Sequence, residues 1–353
     1  MNLDDLRAQI DELDHKLLEL LRRRAEVAKQ IGELKRSAGQ EILDTAREQA
    51  HLQSLAQSDT GLLSPEAVRA VFAEIVSACR AVQEPLSVAF LGPAYTFTHL
   101  GALRRFGTSA NYVDCGSVQE VFEAVEKGAA HVGVVPVENS LGGAVPETLD
   151  CFVTTDVSIV GEHYEPIHHC LAALGSVEGV KRLHSHPQVL AQCRRWLRDN
   201  LPGVEIVNHS STAAAAQAAA ADPESAALAS AEAAEAYGLN ILARNVEDYP
   251  NNRTRFLVIG RGTCEPTGRD RTSLLFATAH RAGALHEALT PFQKYGVNMT
   301  MIQSRPVRGR LWEYVFFVDV EGHATDRHVA QALEEMRALL PSLKILGTYP
   351  AAE

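Results

Sequence analysis

The chain has 353 residues, 46% hydrophobic and 22% charged, an ordinary globular composition with room for two or three domains of about 100–200 residues. Its net charge of -11 argues against a nucleic-acid or anionic-membrane partner, so an anionic ligand must be held by local arginine clusters. No apolar run approaches the ~20 residues that span a bilayer, and the six cysteines lack a CxxC pattern, which points to reduced thiols in a cytoplasmic protein without structural zinc.

Residues 2 to about 37 carry Leu3, Leu6, Ile10, Leu13, Leu17, Leu20, Val27, Ile31 and Leu34 at alternating three- and four-residue spacing. This is an a/d seam, and it predicts one helix of ~54 Å. Charges recur from Asp4 onward, so no signal peptide is expected. Ninety residues cannot wrap so long a helix into a private core, so an intertwined helical dimer is expected. A second helix is predicted from Asp44 to Gln57. A third runs to Gln83, with Ser64 as N-cap and Pro65 at its first position.

Arg24 fills the one gap in the seam. It is either an arginine snorkelling at a helix surface or part of a buried anion site. Arg7, Arg24, Lys35, Asp44, Arg47, Glu48 and Gln83 form the polar set of this region. Arg7 and Lys35 are ~42 Å apart along one helix. Antiparallel pairing with a second copy would bring the partner's Arg7 to Arg24 and Lys35.

Glu84-Pro85 reads as a short linker. A strand follows over 86–91, ending at Gly92-Pro93, and Thr96-Phe97-Thr98 starts a helix. Val118 to Lys127 is a helix closed by Gly128, and His131 to Val137 is a buried strand. Beyond that strand stand Glu138-Asn139-Ser140 and Leu141-Gly142-Gly143, polar and glycine groups placed as open α/β sheets place them. A second unit begins with a strand from Ile167 to Leu174. Leu183 to Gln188 leads into a helix carrying Gln192 and Cys193. Val204 to Asn208 is a strand, Ser210-Ser211-Thr212 caps a helix, and 226–230 is a short strand within an alanine-rich run. His168-His169 and His184/His186 lack a ligand set at metal spacing and read as strand and turn histidines.

The chain returns through 240–243 to Asn251-Asn252-Arg253-Thr254-Arg255-Phe256, then a strand over 256–260. A hydroxyl and two guanidiniums thus stand at a loop-to-strand junction. That is either a solvated turn or a place for an anionic small molecule, because arginine offers a planar fork to a carboxylate. Two α/β lobes joined by a double crossover leave a cleft between them, as in periplasmic-type binding proteins.

After a polar linker over 262–271, the pattern is strand (273–278), helix (284–295), strand (297–304), strand (313–320), helix (326–339) and strand (343–348). The order βαββαβ is ferredoxin-like.

Three resemblances follow. Leu6-Arg7, Arg24, Lys35, Asp44-x-x-Arg47-Glu48 and Gln83 resemble the all-helical chorismate mutases. The resemblance implies that the partner's Arg7, Arg24 and Arg47 hold two substrate carboxylates. It implies that Lys35 and Gln83 donate to the ether oxygen, Glu48 binds the substrate hydroxyl and Asp44 supports the site. Cys79 stands at a substrate-binding position where the family often has serine. The rearrangement is pericyclic, so catalysis must come from holding the compact conformer and placing donors where charge develops.

Gly92-Pro93…Thr96-Phe97-Thr98, Val134 to Ser140, Ser185-His186-Pro187-Gln188 with Gln192, Ser211-Thr212-Ala213 and Asn252-x-Thr254-Arg255-Phe256 resemble prephenate dehydratase. Tyr95 departs from that pattern, where glycine is usual. The reaction implied is loss of CO₂ and hydroxide from prephenate to give phenylpyruvate. Thr254 is expected to contact the leaving hydroxyl, with Glu138 the alternative acid if its site raises its pKa. Arg255 is expected to orient a carboxylate, and Asn139, Ser185, Gln192, Thr212 and Phe256 to complete the cleft.

Gly283-Ala284-Leu285-His286 and Gln303-Ser304-Arg305-Pro306 resemble the phenylalanine-binding motifs of the ACT regulatory domain, with Gln303 where glutamate is usual. The bland alternative is a dimerisation domain without effector. The whole is similar to the bifunctional chorismate mutase–prephenate dehydratases, with domains expected at 1–84, 86–262 and 272–353. The resemblance implies chorismate and prephenate as substrates, phenylalanine as effector, a homodimer or dimer of dimers, and no metal or organic cofactor. The rivals are a monofunctional dehydratase with a degenerate mutase domain and a non-catalytic amino-acid sensor. The complete mutase set and Thr254-Arg255 argue against both.

Overall fold

A computed structural model describes residues 2–39, 42–306 and 314–352. The chain falls into two compact units, one running up to Ser87 and including Leu103–Asn111, the other made of Val88–Ala102 and the residues from Tyr112 onward.

The first unit is helical: α1 (Leu3–Ser37), α2 (Thr45–Ala56) and α3 (Pro65–Gln83). A capping box starts α1: Asn2 accepts from the Asp5 amide at 2.8 Å, and Asp5 accepts from the Asn2 amide at 2.9 Å. Asp44 caps α2 and Ser64 caps α3, each by accepting a backbone N–H at the third helical position. Of α1's side of the packing, Ala28 and Gly32 are the buried residues. A Cβ at Gly32 would sit 2.9 Å from the Cβ of Gln83, so glycine there lets α3 approach α1. The seam itself is open: Leu13 is 57% and Leu17 56% exposed.

An α/β lobe follows, belonging to the second unit except for Ser87 and Leu103–Asn111: β1 (Ser87–Leu91), α4 (Phe97–Phe106), β2 (Asn111–Cys115), α5 (Val118–Glu126), β3 (Val132–Asn139), β4 (Gly143–Ala144), α6 (Pro146–Thr154) and β5 (Ser158–Pro166). The second lobe holds β6 (Cys170–Ala173), β7 (Arg182–Ser185), α7 (Pro187–Gln192), α8 (Arg194–Asn200), β8 (Glu205–Asn208), α9 (Thr212–Ala219), β9 (Ser225–Ala229), α10 (Ala231–Ala236) and β10 (Asn240–Ala243). The chain then returns as β11 (Arg253–Gly260), which enters the first sheet between β3 and β5. That sheet runs β2-β1-β3-β11-β5, and the second runs β10-β6-β9-β7-β8.

Two expectations change here. The element β11 begins at Arg253 rather than at Phe256, because Arg253, Thr254 and Arg255 pair with Pro166, Glu165 and Tyr164 of β5. The expected strand over 167–174 shrinks to Cys170–Ala173. The elements β2, α6 and β5 were not expected at all.

The third sheet contains β12 (Asp270–Ala277), β13 (Met299–Pro306), β14 (Tyr314–Glu321) and β15 (Ser342–Pro350), with α11 (Ala284–Tyr295) and α12 (Arg327–Leu339). Its order, β13-β14-β12-β15, is the ferredoxin-like arrangement expected. Glu313, where the third of these strands was expected to start, lies outside the described residues. The side chains alternate between two cores. Leu274, Phe276, Val318 and Val320 pack under α11 and α12, whereas Leu275, Phe317 and Leu346 join the core of the first lobe. Gly347 lies so close to the first lobe that a Cβ there would collide with the backbone of Ile159 on β5.

Candidate active sites

In the helical unit, Lys35 at the end of α1 donates to the Ile42 carbonyl at 2.9 Å. Asp44 accepts from the Arg47 amide at 2.9 Å, which fixes the start of α2. Gln83, over Gly32, donates to the Cys79 carbonyl at 3.5 Å, and Cys79 is buried. Lys35 and Gln83 therefore come from the C-terminal ends of α1 and α3, while Arg24 is half-buried, three turns back along α1. Arg7 is exposed near the other end and pairs weakly with Asp4.

One residue here was missed. Arg80, buried on α3, donates to both oxygens of Glu48 at 2.9 and 2.7 Å and to the Phe106 carbonyl at 2.6 Å. Arg80 lies one turn before Gln83 on the same face, and that spacing was the available signal. Glu48 keeps lone pairs for a hydroxyl donor, but its position is set by Arg80.

The second site is a cleft of about 870 Å³ between the two α/β lobes. Its floor is a chain of side-chain hydrogen bonds. Asn139 ends β3 and donates from one nitrogen to Asn252 Oδ1 and to Thr254 Oγ1, both at 2.9 Å. Its oxygen accepts from the amides of Leu141 and Gly142, so the amide orientation is fixed. Asn252 in turn donates to Gln192 Oε1 at 3.2 Å, and His169 Nε2 lies 3.0 Å from the same oxygen. An oxygen already accepting from Asn252 makes His169 the donor, with its proton on Nε2. Burial pushes the His169 imidazole below its ordinary pKa, so the ring is neutral. Thr254, accepting from Asn139, keeps its own proton for a ligand.

Thr254, Phe256, Asn139, Gln192 and Thr212 all line this cleft. Ser185 does not. It is fully buried at the end of β7, with its hydroxyl on the His186 carbonyl, and His186 and Gln188 line the cleft instead. Asn252 and His169 were missed as site residues. Asn252 stood in the quoted motif, whereas nothing local distinguished His169 from a strand histidine.

Two expected residues face the other way. The pleat sends Thr254 and Asn139 into the cleft and their neighbours Arg255 and Glu138 to the opposite face, where both line a separate cavity with Tyr164 and Arg253. Arg255 is 3% exposed and its guanidinium is consumed: it donates to Glu162 at 2.7 Å, Asp319 at 2.5 Å and the Tyr349 hydroxyl at 3.0 Å. Burial opposes its charge, but Tyr349, Asp319 and Glu162 hold it well above the ordinary range. The expected places of Arg255 and Glu138 in the cleft are thus corrected: neither lines it, and the Arg255 fork is occupied by protein partners.

Among the described residues that line the cleft, none is arginine or lysine. The N–H donors of the cleft include those of helix N-termini, whose first-turn N–H groups are unsatisfied within the helix. The first turns of α4 (Phe97, Thr98) and α9 (Thr212) face the cleft from opposite lobes. Tyr95, just before α4, has φ 65°, the left-handed region that favours glycine. Its ring meets Tyr237 of the second lobe edge-on at 6.0 Å.

The expected effector residues lie at the start of α11 and on the edge strand β13. Gly283 is the left-handed N-cap of α11, Ala284 is buried, Leu285 is half-buried and His286 is exposed. On β13, Gln303 is half-buried, and Ser304 and Pro306 are exposed. Arg305 forms a bidentate pair with Asp150 of α6, at 2.9 and 3.0 Å.

Three family profiles match: Chorismate mutase type II over residues 6–84, Prephenate dehydratase over 88–264 and the ACT domain over 272–338. A bifunctional chorismate mutase/prephenate dehydratase of Aquifex aeolicus is 45% identical, covering 99% of this chain and 98% of the relative. The prephenate dehydratase of Arthrobacter aurescens, solved in complex with L-Phe, is 37% identical with a TM-score of 0.71, over 76% of this chain and 90% of that one. A structure described as GqqA, a novel type of quorum quenching acylase, is 34% identical with a TM-score of 0.69, over 75% and 98%. With matches to all three profiles and near-complete coverage, this chain belongs to the bifunctional chorismate mutase/prephenate dehydratase family.

Proposed function

We propose that the two activities of this family are carried by separate sites, the mutase on residues 1–84 and the dehydratase on 86–262, with an effector domain over 272–353. The chain rearranges chorismate to prephenate and then converts prephenate to phenylpyruvate, in phenylalanine biosynthesis.

For the mutase, Arg24, Arg47 and the partner's Arg7 hold the substrate carboxylates. Lys35 and Gln83 donate to the ether oxygen as the C–O bond breaks. Glu48, held by Arg80, takes the substrate hydroxyl, Asp44 supports α2, and Cys79 lines the site beside Gln83. The open seam of α1 supports a second copy lying across it, and the chain works as a homodimer or dimer of dimers.

For the dehydratase, prephenate spans the lobes with its carboxylates on the first turns of α4 and α9. As the ring loses CO₂, the C–O electron pair leaves with the hydroxyl, and Thr254 donates a hydrogen bond to it. A threonine hydroxyl is too weak an acid to surrender its proton readily, so its part is to stabilise departing charge. Gln192 and Phe256 complete the pocket. The observation that supports this is the Thr254–Asn139–Asn252–Gln192 chain, in which the Thr254 oxygen accepts from Asn139 and its own proton is left to donate. Phenylalanine binds at Gly283–His286 and Gln303–Pro306 and inhibits by shifting the cleft between open and closed populations.

Phenylpyruvate formation by Thr254→Ala in the full chain tests the reading. Loss of about 10²-fold or more in kcat with little change in KM is expected. Undiminished turnover would remove Thr254 from the chemistry.

A further inference from the structure

The ACT sheet reaches the dehydratase strand that carries Thr254 through a buried polar cluster. Arg255 sits at its centre, with Glu162 from β5, Asp319 from β14 and Tyr349 from β15 as its partners. Asp319 and Tyr349 are each 0% exposed. Ser273 of β12 ties them together, donating to Asp319 at 2.5 Å and lying 2.6 Å from the Tyr349 hydroxyl. Arg271 of β12 closes the cluster on Glu162 at 2.7 Å. Two arginines and two carboxylates balance, and the geometry fixes one orientation of the Arg255 fork.

A second observation places the cluster where it matters. Pairing between β11 and β3 slips at this point: Arg255 opposes Glu138, while Phe256 opposes Pro136, so Val137 is the extra residue of a bulge. A bulge re-aims side chains, and here it lies between the pairs that hold Thr254 and Phe256 in the cleft. Something must hold the local geometry, and the adjacent side chain, Arg255, is clamped from the other face. Close packing of Gly347 against the Ile159 backbone keeps the clamp at short range.

We propose that Asp319 and Tyr349 of the ACT sheet are positioning residues for the dehydratase: through Arg255 they set the height and direction of Thr254 in the cleft. This rests on the reading of Thr254 given above. The ACT sheet is then a working part of the catalytic geometry even without effector, and the Arg255 guanidinium links β14 and β15 to the reacting hydroxyl.

The test uses the full chain with Asp319→Asn and Tyr349→Phe, beside Leu346→Ala. Leu346 joins the same sheet-to-lobe core as an apolar residue. Three readouts are taken: kcat and KM for prephenate, thermal midpoint, and mutase turnover as a measure of intact protein. Both polar variants are expected to lose about tenfold or more in dehydratase kcat with KM held within about threefold, because a small misplacement costs turnover before binding. Leu346→Ala is expected to lower the midpoint at least as much while keeping most of its kcat. Dehydratase kcat within about twofold of the parent in both polar variants would overturn the proposal. So would a kcat loss in Leu346→Ala that matches theirs at equal midpoint, since that marks a merely structural role. If Asp319→Asn yields too little folded protein, Tyr349→Phe, which removes a single hydroxyl, decides by the same criteria. The two readings fail separately: an active Thr254→Ala removes the hydroxyl's role, whereas unaffected Asp319 and Tyr349 variants remove only the coupling.

Discussion

Neutral histidines concentrate around the dehydratase cleft. Burial holds His99, His169 and His186 below their ordinary pKa. A histidine whose folded pKa is depressed takes up its proton first in the unfolded chain. Its stabilising contribution is complete above the ordinary value of about 6.5 and declines as pH falls below it. The thermal midpoint should therefore drop between about pH 7 and pH 5, and His169→Gln should flatten part of that slope. A midpoint independent of pH over this range would show that the three rings do not titrate as placed. At this scale the sequence was misleading in an instructive way. Thr254 and Arg255 are adjacent letters and were read as one site, yet strand alternation sends them to opposite faces. Knowing that β11 starts at Arg253 would have separated them. Tyr95 was legible as a departure from glycine, and its φ of 65° supplies the reason glycine is usual there.

Helices and strands with a strong period were legible, and those without one were not. The α1 stripe, the Ser64-Pro65 start of α3 and the βαββαβ order are all as expected. The strand β2 is short and mostly exposed, with the burial of a surface edge, so it carries no alternation to read. The strand β5 is buried along most of its length yet includes glycine, glutamates and histidine, because Glu162 and Glu165 are paired rather than solvated. Helix packing offers a sharper test of the mutase site. Gly32 permits α3 to lie against α1 with Gln83 in place. Gly32→Val should displace Gln83, cost about 1–3 kcal/mol of stability and lower mutase turnover far more than dehydratase turnover. Equal loss of both activities, measured on the same preparation, would mean that the contact only supports folding.

No helix among the described residues is long and apolar enough to cross a membrane. The apolar stripe of α1 is exposed on the single chain, with Leu13 57% and Leu17 56% accessible. Leu13→Glu with Leu17→Glu would place charges in the seam, where an unpaired buried charge is strongly unfavourable. Sedimentation of this double variant should show the loss of one association step, with mutase turnover falling alongside it. A variant that keeps both its assembly state and its mutase turnover would mean that the seam is not the interface.

The sheet built from β12 to β15 has apolar residues on both of its faces, one set facing its own helices and the other facing the first lobe. A layer with two insides cannot melt alone. Its loss would strand Leu275, Phe317 and Leu346 in water and pull Asp319 and Arg271 away from Arg255 and Glu162. The lobe bearing Thr254 and the ACT sheet are therefore expected to unfold as one thermodynamic foldon, registered by a calorimetric trace as a single endotherm.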